Sequence, residues 1–182
     1  MRLLAISGSL RSGSYNTELL RDATAQRSPD VEFVLWNGLA SIPAYDEDLD
    51  TLPPPRPVAE LRAEIERSGA VLIATPEYNS SVPGALKNAL DWVSRPYPGN
   101  VLRRKRVAVI GASTGLFGAL AAQAELRKVL KAIGADVLDV ALSLPAAHSA
   151  FTADGRLRDR ELARALRTIV DGLVGEPAER AA

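Results

Sequence analysis

The sequence predicts a doubly wound α/β fold, in which a parallel sheet is covered by helices on both faces. Five short apolar runs bounded by polar, Gly or Pro residues suit buried strands, and helical periodicities lie between and after them. Near-continuous apolar strands are the mark of a parallel sheet, because right-handed crossovers place helices over both of its faces. A length of 182 residues, 47% of them hydrophobic and 24% charged, is that of one ordinary globular domain.

The first strand is Leu3–Ile6, and a Ser/Gly-rich loop carries the chain from it into a helix. The second strand, Val31–Leu35, is followed by Pro53-Pro54-Pro55 and Pro57, which are expected to make a stiff extended surface loop. Val58, Leu61 and Ile65 mark the second helix and Ala70–Ala74 the third strand. The next helix starts near Pro83, a residue suited to a first turn because its missing N–H breaks no hydrogen bond there. Val107–Ile110 is the fourth strand. Leu120, Ala124, Leu126, Val129, Leu130 and Ile133 then recur at helical spacing. Val137–Leu142 is the fifth strand, and Leu162, Leu166, Ile169 and Leu173 mark the last helix. No internal repeat or linker interrupts the chain, so residues 1–175 are expected to form one domain and 176–182 a frayed tail.

Lys plus Arg (22) equal Asp plus Glu (22), so no global field draws nucleic acid or anionic lipid, and any anion recognition must be local. The chain has no cysteine, which excludes disulfides, thiolate metal sites and a cysteine nucleophile; redox chemistry would need a bound cofactor. No apolar run approaches the roughly 20 residues of a membrane span or forms a signal-peptide core, and a cytoplasmic location is expected.

In an open α/β sheet, ligands bind outside the carboxyl ends of the strands. The loop after strand one, Ser7-Gly8-Ser9-Leu10-Arg11-Ser12-Gly13-Ser14-Tyr15-Asn16, places hydroxyls, glycines and one guanidinium at a helix N-terminus. Free N–H groups, the positive end of the helix dipole and Arg11 together favour a dianionic phosphate. Gly8 and Gly13 have P-loop spacing, but Ser14 and Tyr15 stand where a phosphate-binding lysine and a magnesium-binding hydroxyl are required. The dinucleotide fingerprint has only a near miss, Ser113-x-Gly115-x-x-Gly118. After strand three, Thr75-Pro76-Glu77-Tyr78-Asn79 offers an aromatic ring, an amide and exposed backbone, a mixture suited to a flat heteroaromatic ring. Loop four, Ala112-Ser113-Thr114-Gly115-Leu116-Phe117-Gly118, adds hydroxyls and small residues.

Loop one, Pro76-Glu77-Tyr78-Asn79 and Pro83-Gly84-Ala85-Leu86-Lys87-Asn88-Ala89-Leu90-Asp91-Trp92 together resemble the NADPH-dependent FMN reductases, a family of flavodoxin-like proteins that includes bacterial quinone, chromate and azo-dye reductases. The resemblance runs from Arg2 to about Val174. It implies a five-stranded sheet of order 2-1-3-4-5 and FMN bound through its phosphate at Ser9, Leu10, Arg11, Ser12, Gly13, Ser14, Tyr15 and Asn16. It implies ring contacts from Pro76, Glu77, Tyr78 and Asn79, with Ser113 near the ring, and NADPH or NADH as hydride donor. Homodimers or homotetramers built partly on the Pro83 helix are implied as well. Loop four departs from the pattern, with Leu116-Phe117 where relatives carry more glycine, which bears on the shape of the acceptor pocket.

The expected function is an FMN-dependent NAD(P)H:acceptor oxidoreductase that reduces quinone-like, azo or similar small electrophiles by ping-pong turnover. No side chain is required as nucleophile or acid, because the flavin carries the chemistry. The alternative is a flavodoxin-type carrier without NAD(P)H activity; zero net charge argues against the electrostatic steering that carriers use. Asp46-Glu47-Asp48-Leu49-Asp50 imitates the start of a calcium loop, but Thr51 and Pro57 replace its required Gly and Glu. By resemblance this segment is expected near the active-site rim. His148 reads as a loop or interface residue and Trp92 as packing or interface, while Glu77 is expected to act through its backbone.

Overall fold

The computed structural model describes residues 1–26 and 30–175; the expected frayed tail, 176–182, lies outside them. The chain runs β1 (Arg2–Ser7), α1 (Tyr15–Ala25), β2 (Glu32–Trp36), α2 (Arg56–Arg67), β3 (Ala70–Thr75) and α3 (Gly84–Val93). It continues through β4 (Arg106–Ala112), α4 (Leu120–Ile133), β5 (Asp136–Val137), β6 (Leu142–Leu144) and α5 (Arg160–Val174). The strands are parallel in the expected order β2-β1-β3-β4-β5, with β6 also pairing β4.

Alternation along the central strands explains why both faces are covered. Leu3, Ala5, Ala70, Leu72, Ala74, Ala108 and Ile110 belong to one core with Leu19 and Leu20 of α1 and Leu166, Ile169 and Leu173 of α5. Leu4, Ile6, Val71, Ile73, Val107 and Val109 belong to the other, with Val58, Leu61 and Ile65 of α2, Leu86 and Leu90 of α3, and Leu126 and Leu130 of α4. Burying each such Leu, Ile or Val side chain contributes about 1.5–3 kcal/mol, so these two cores dominate stability. Trp92 is wholly buried, and its indole N–H donates to the Pro43 carbonyl at 2.8 Å, which settles it as packing. Among the described residues, no helix is long and apolar enough to cross a membrane.

Two expectations change. Pro57 lies in the first turn of α2 rather than in the preceding loop, a position where a missing N–H breaks nothing. The expected fifth strand is broken: β5 pairs Arg106 and Val107, with the Leu138 N–H still donating to the Val107 carbonyl, β6 pairs Ile110 to Ala112, and residues 139–141 leave the ladder between them. Arg127 of α4 fills the gap, donating from Nη2 to the Val109 carbonyl at 3.1 Å and to the Val140 carbonyl. A guanidinium thus replaces strand-to-strand pairing. Burial lowers the Arg127 pKa, and Asp139 opposes that shift.

Arg127→Met retains the aliphatic stem but leaves the two carbonyls without this donor. Denaturant unfolding of the variant should show a loss of about 1–3 kcal/mol, the penalty for polar groups left unpaired away from water.

Candidate functional site

β1 is the point at which the strand order reverses, because its neighbours β2 and β3 lie on opposite sides of it. The chain leaves β1 for α1 on one face, whereas α2, α3 and α4 all cover the other. The loops after β1 and β3 therefore part at the carboxyl end of the sheet and open a crevice. A cleft of about 310 Å³ occupies it, lined by Ser9, Arg11, Ser14, Tyr15 and Asn16 from loop one, Pro76, Glu77 and Tyr78 from loop three, and Ala112, Ser113 and Thr114 from loop four. Leu10, Ser12, Gly13 and Asn79, expected from the sequence to belong to the site, stand outside its wall.

Loop one is held close to β3. The Gly8 N–H donates to the Ala74 carbonyl at 2.8 Å, and a Cβ on Gly8 would lie 2.8 Å from the Leu86 Cδ2. Ser14 caps α1 by accepting from the Thr17 N–H, leaving the Tyr15 and Asn16 N–H groups without partners inside the helix. The Arg11 guanidinium lies 5.0 Å from the centre of the Tyr15 ring, and among the described residues it has no carboxylate partner. Tyr15 is in turn stacked with Phe151 at 6.4 Å. A helix N-terminus and an unneutralised cation thus share one end of the cleft, the combination that attracts an anion. Asn16 is almost fully buried; its amide donates to the Ala112 carbonyl and accepts from the Ala112 N–H, both at 2.9 Å. This side chain, expected to contact a ligand, ties α1 to the end of β4.

Loop three contains a two-residue hairpin. Tyr78 and Ser81 exchange two backbone hydrogen bonds of 3.1 Å, and Asn79 and Ser80 between them have φ of 52° and 61°. Two successive positive φ values define the type I′ turn, which favours Asn at its first central position. Asn79 is therefore explained by the turn, with its side chain exposed. Tyr78 is half exposed at the mouth of the cleft. Glu77, expected to act through its backbone, uses its carboxylate: it accepts from the Ala122 N–H at 3.1 Å. Helix α4 begins at a left-handed Ala119 with no side-chain cap of its own, so Glu77 supplies the negative charge its first turn favours.

Loop four is fastened to the segment after β6. The Ser113 N–H donates to the Leu144 carbonyl and the Ser113 carbonyl accepts from the Ala147 N–H, both at 3.0 Å. Gly118 has a φ of +57°, and a Cβ there would lie 2.6 Å from the Leu144 nitrogen. Leu116 and Phe117 are exposed. Ala112 and Thr114, offered by the sequence as part of loop four while Ser113 alone was singled out there, also line the wall. The acidic segment is not among the residues that line the cleft; within it Asp46 accepts from the Asp48 N–H, and Asp50 pairs with Arg62. His148 is exposed and also stands outside the wall. Asn88, from the motif on α3, accepts from the Tyr45 N–H and donates to the Pro43 carbonyl, fixing the loop between β2 and α2.

The cleft is thus walled by three strand-end loops, with an unneutralised cation and a helix N-terminus on the first of them. The family model for NADPH-dependent FMN reductases matches residues 1–149. An NAD(P)H-dependent FMN reductase of Pseudomonas aeruginosa is 42% identical over 160 residues, covering 87% of this chain and 85% of its own. A quinone reductase of Pseudomonas putida is 37% identical over 156 residues, covering 85% and 83%. The solved structure of FerB, a flavoenzyme NAD(P)H:(acceptor) oxidoreductase from Paracoccus denitrificans, superposes with a TM-score of 0.85 at 38% identity over 95% of this chain and 94% of its own. With the sheet order, the three loops and these similarities in agreement, the chain belongs to the NADPH-dependent FMN reductase family and uses FMN with NAD(P)H as electron donor.

Proposed function

We propose that this enzyme passes electrons from NAD(P)H to quinone-like or azo acceptors in a ping-pong cycle, with FMN lying along the cleft from loop one to loop three. The observation that carries the reading is the chemistry of the cleft wall: loop one brings Arg11 and the start of α1 to it, and loop three brings Pro76 and Tyr78. Arg11, Ser9, Ser14 and the first-turn N–H groups of Tyr15 and Asn16 would hold the phosphate. Pro76, Glu77, Tyr78 and Ser113 would border the ring. Leu10, Ser12 and Gly13 shape loop one, and Asn79 sets the hairpin that carries Tyr78. Bound FMN would accept hydride and return electrons, chemistry that no side chain of the cleft supplies.

The protein's own part is orientation. Glu77, the acid in the cleft wall, has its carboxylate engaged with the start of α4. Donor and acceptor share one opening, so one must leave before the other enters. Names of relatives support the acceptor class, and the exposed Leu116, Phe117 and Leu120 support a homodimer or homotetramer.

Two measurements test the reading. Initial rates of NADPH oxidation, with NADPH and benzoquinone varied together, should give parallel double-reciprocal lines; intersecting lines would contradict ping-pong turnover, and no quinone-dependent rate would remove the acceptor assignment. In titrations of the apoprotein, Arg11→Ala should weaken FMN binding by about 1.5–3 kcal/mol, the range for hydrogen bonds to a charged group, and leave riboflavin binding nearly unchanged. Equal losses for both flavins would show that Arg11 does not meet the phosphate.

A further inference from the structure

Helix α4 grips the Tyr78 hairpin on both sides. Before the hairpin, the Glu77 carboxylate accepts from the Ala122 N–H. After it, Glu125, one turn further along α4, accepts from the Ser81 hydroxyl at 2.7 Å and from the Val82 N–H at 3.3 Å. The residues joined lie more than 40 positions apart in the chain, and Val82, unlike the exposed hairpin tip, belongs to a core. Glu125 is itself exposed, and an ordinary surface carboxylate would contribute little. This one instead receives two donors from a single segment, one of them a backbone N–H. Its pKa is held below the ordinary value, chiefly by the Ser81 hydroxyl, then the Val82 N–H, with Lys128 of α4 and Lys87 of α3 adding to the effect. At neutral pH it is therefore charged and both bonds are made.

We propose that Glu125 is a positioning residue for the flavin ring: by fastening Ser81 and Val82 to α4 it sets the Tyr78 hairpin against the cleft before any ligand arrives. The proposal rests on the placing of the ring at Pro76 to Tyr78. Among the described residues, loop three would otherwise be held on this side by the hairpin's own two hydrogen bonds and the burial of Val82. Ordering it in advance removes an entropic cost from binding, which is how preorganisation raises affinity.

The test compares wild type, Glu125→Ala, Glu125→Gln and Ser81→Ala by titrating each apoprotein with FMN and with riboflavin, alongside its thermal midpoint. Glu125→Ala should raise both dissociation constants about three- to tenfold and by the same factor, because the ring end is common to the two flavins. Glu125→Gln should restore most of the affinity, since its amide oxygen accepts the same two bonds. Ser81→Ala, which removes only one of those bonds, should fall between and serves if the Ala variant folds poorly. Unchanged affinities in Glu125→Ala, a loss confined to FMN, or a Gln variant as weak as the Ala variant would each overturn the role of Glu125. Failure of wild type to bind either flavin would instead overturn the placing of the cofactor, an outcome independent of the latch.

Discussion

The reversal of strand order at β1 is the constraint on which the rest of the molecule depends. Because β1 sits between β2 and β3, α1 must cover one face while α2 and α3 cover the other, and the loops at the carboxyl ends are forced apart. The crevice is thus a by-product of burying two apolar faces. The same arrangement brings the start of α1, with its unpaired N–H groups, beside the end of β3. Gly8 permits the close approach, its N–H bonding to Ala74 with Leu86 nearly in contact.

A crevice between loops is useful only if the loops keep their places, and here each is fastened to a neighbour. Asn16 joins loop one to the end of β4, Glu77 joins loop three to α4, and Ser113 joins loop four to the segment after β6. Two of these three ties pair a side chain with a backbone group of a distant strand or helix and the third is backbone to backbone, so they fix backbone positions directly. The protein's charge is balanced overall, and the phosphate site proposed above rests on one local imbalance, Arg11 above the Tyr15 ring at a helix N-terminus.

Most of the architecture was legible because burial on two faces writes continuous apolar runs for β1, β3 and β4, and capping residues such as Ser14 mark where a helix begins. The break in the fifth strand was not legible. Val137 to Leu142 is apolar enough for one strand, and the interruption comes from Arg127, which lies on a helix and whose reach into the sheet no local pattern announces. The site shows the same division. Loop one and Pro76 to Tyr78 were visible as composition, but side-chain roles depended on partners distant in sequence. Asn16, expected in the phosphate loop, lines the cleft and its side chain binds Ala112, 96 residues away; Glu77, expected to meet the ring through its backbone, uses its carboxylate on a helix 45 residues on. Asn79 had a local signal, since two residues between Tyr78 and Ser81 are the length of a tight hairpin turn.

The central claim is that FMN lies in the cleft with its phosphate at loop one and its ring at loop three. A crystal structure of the FMN-loaded protein tests it most directly. The account predicts the phosphate within hydrogen-bond reach of Arg11 and the first-turn N–H groups of α1, and the ring beside Pro76 and Tyr78. A phosphate at the Tyr78 hairpin, or a flavin outside the crevice between loops one and three, would contradict it.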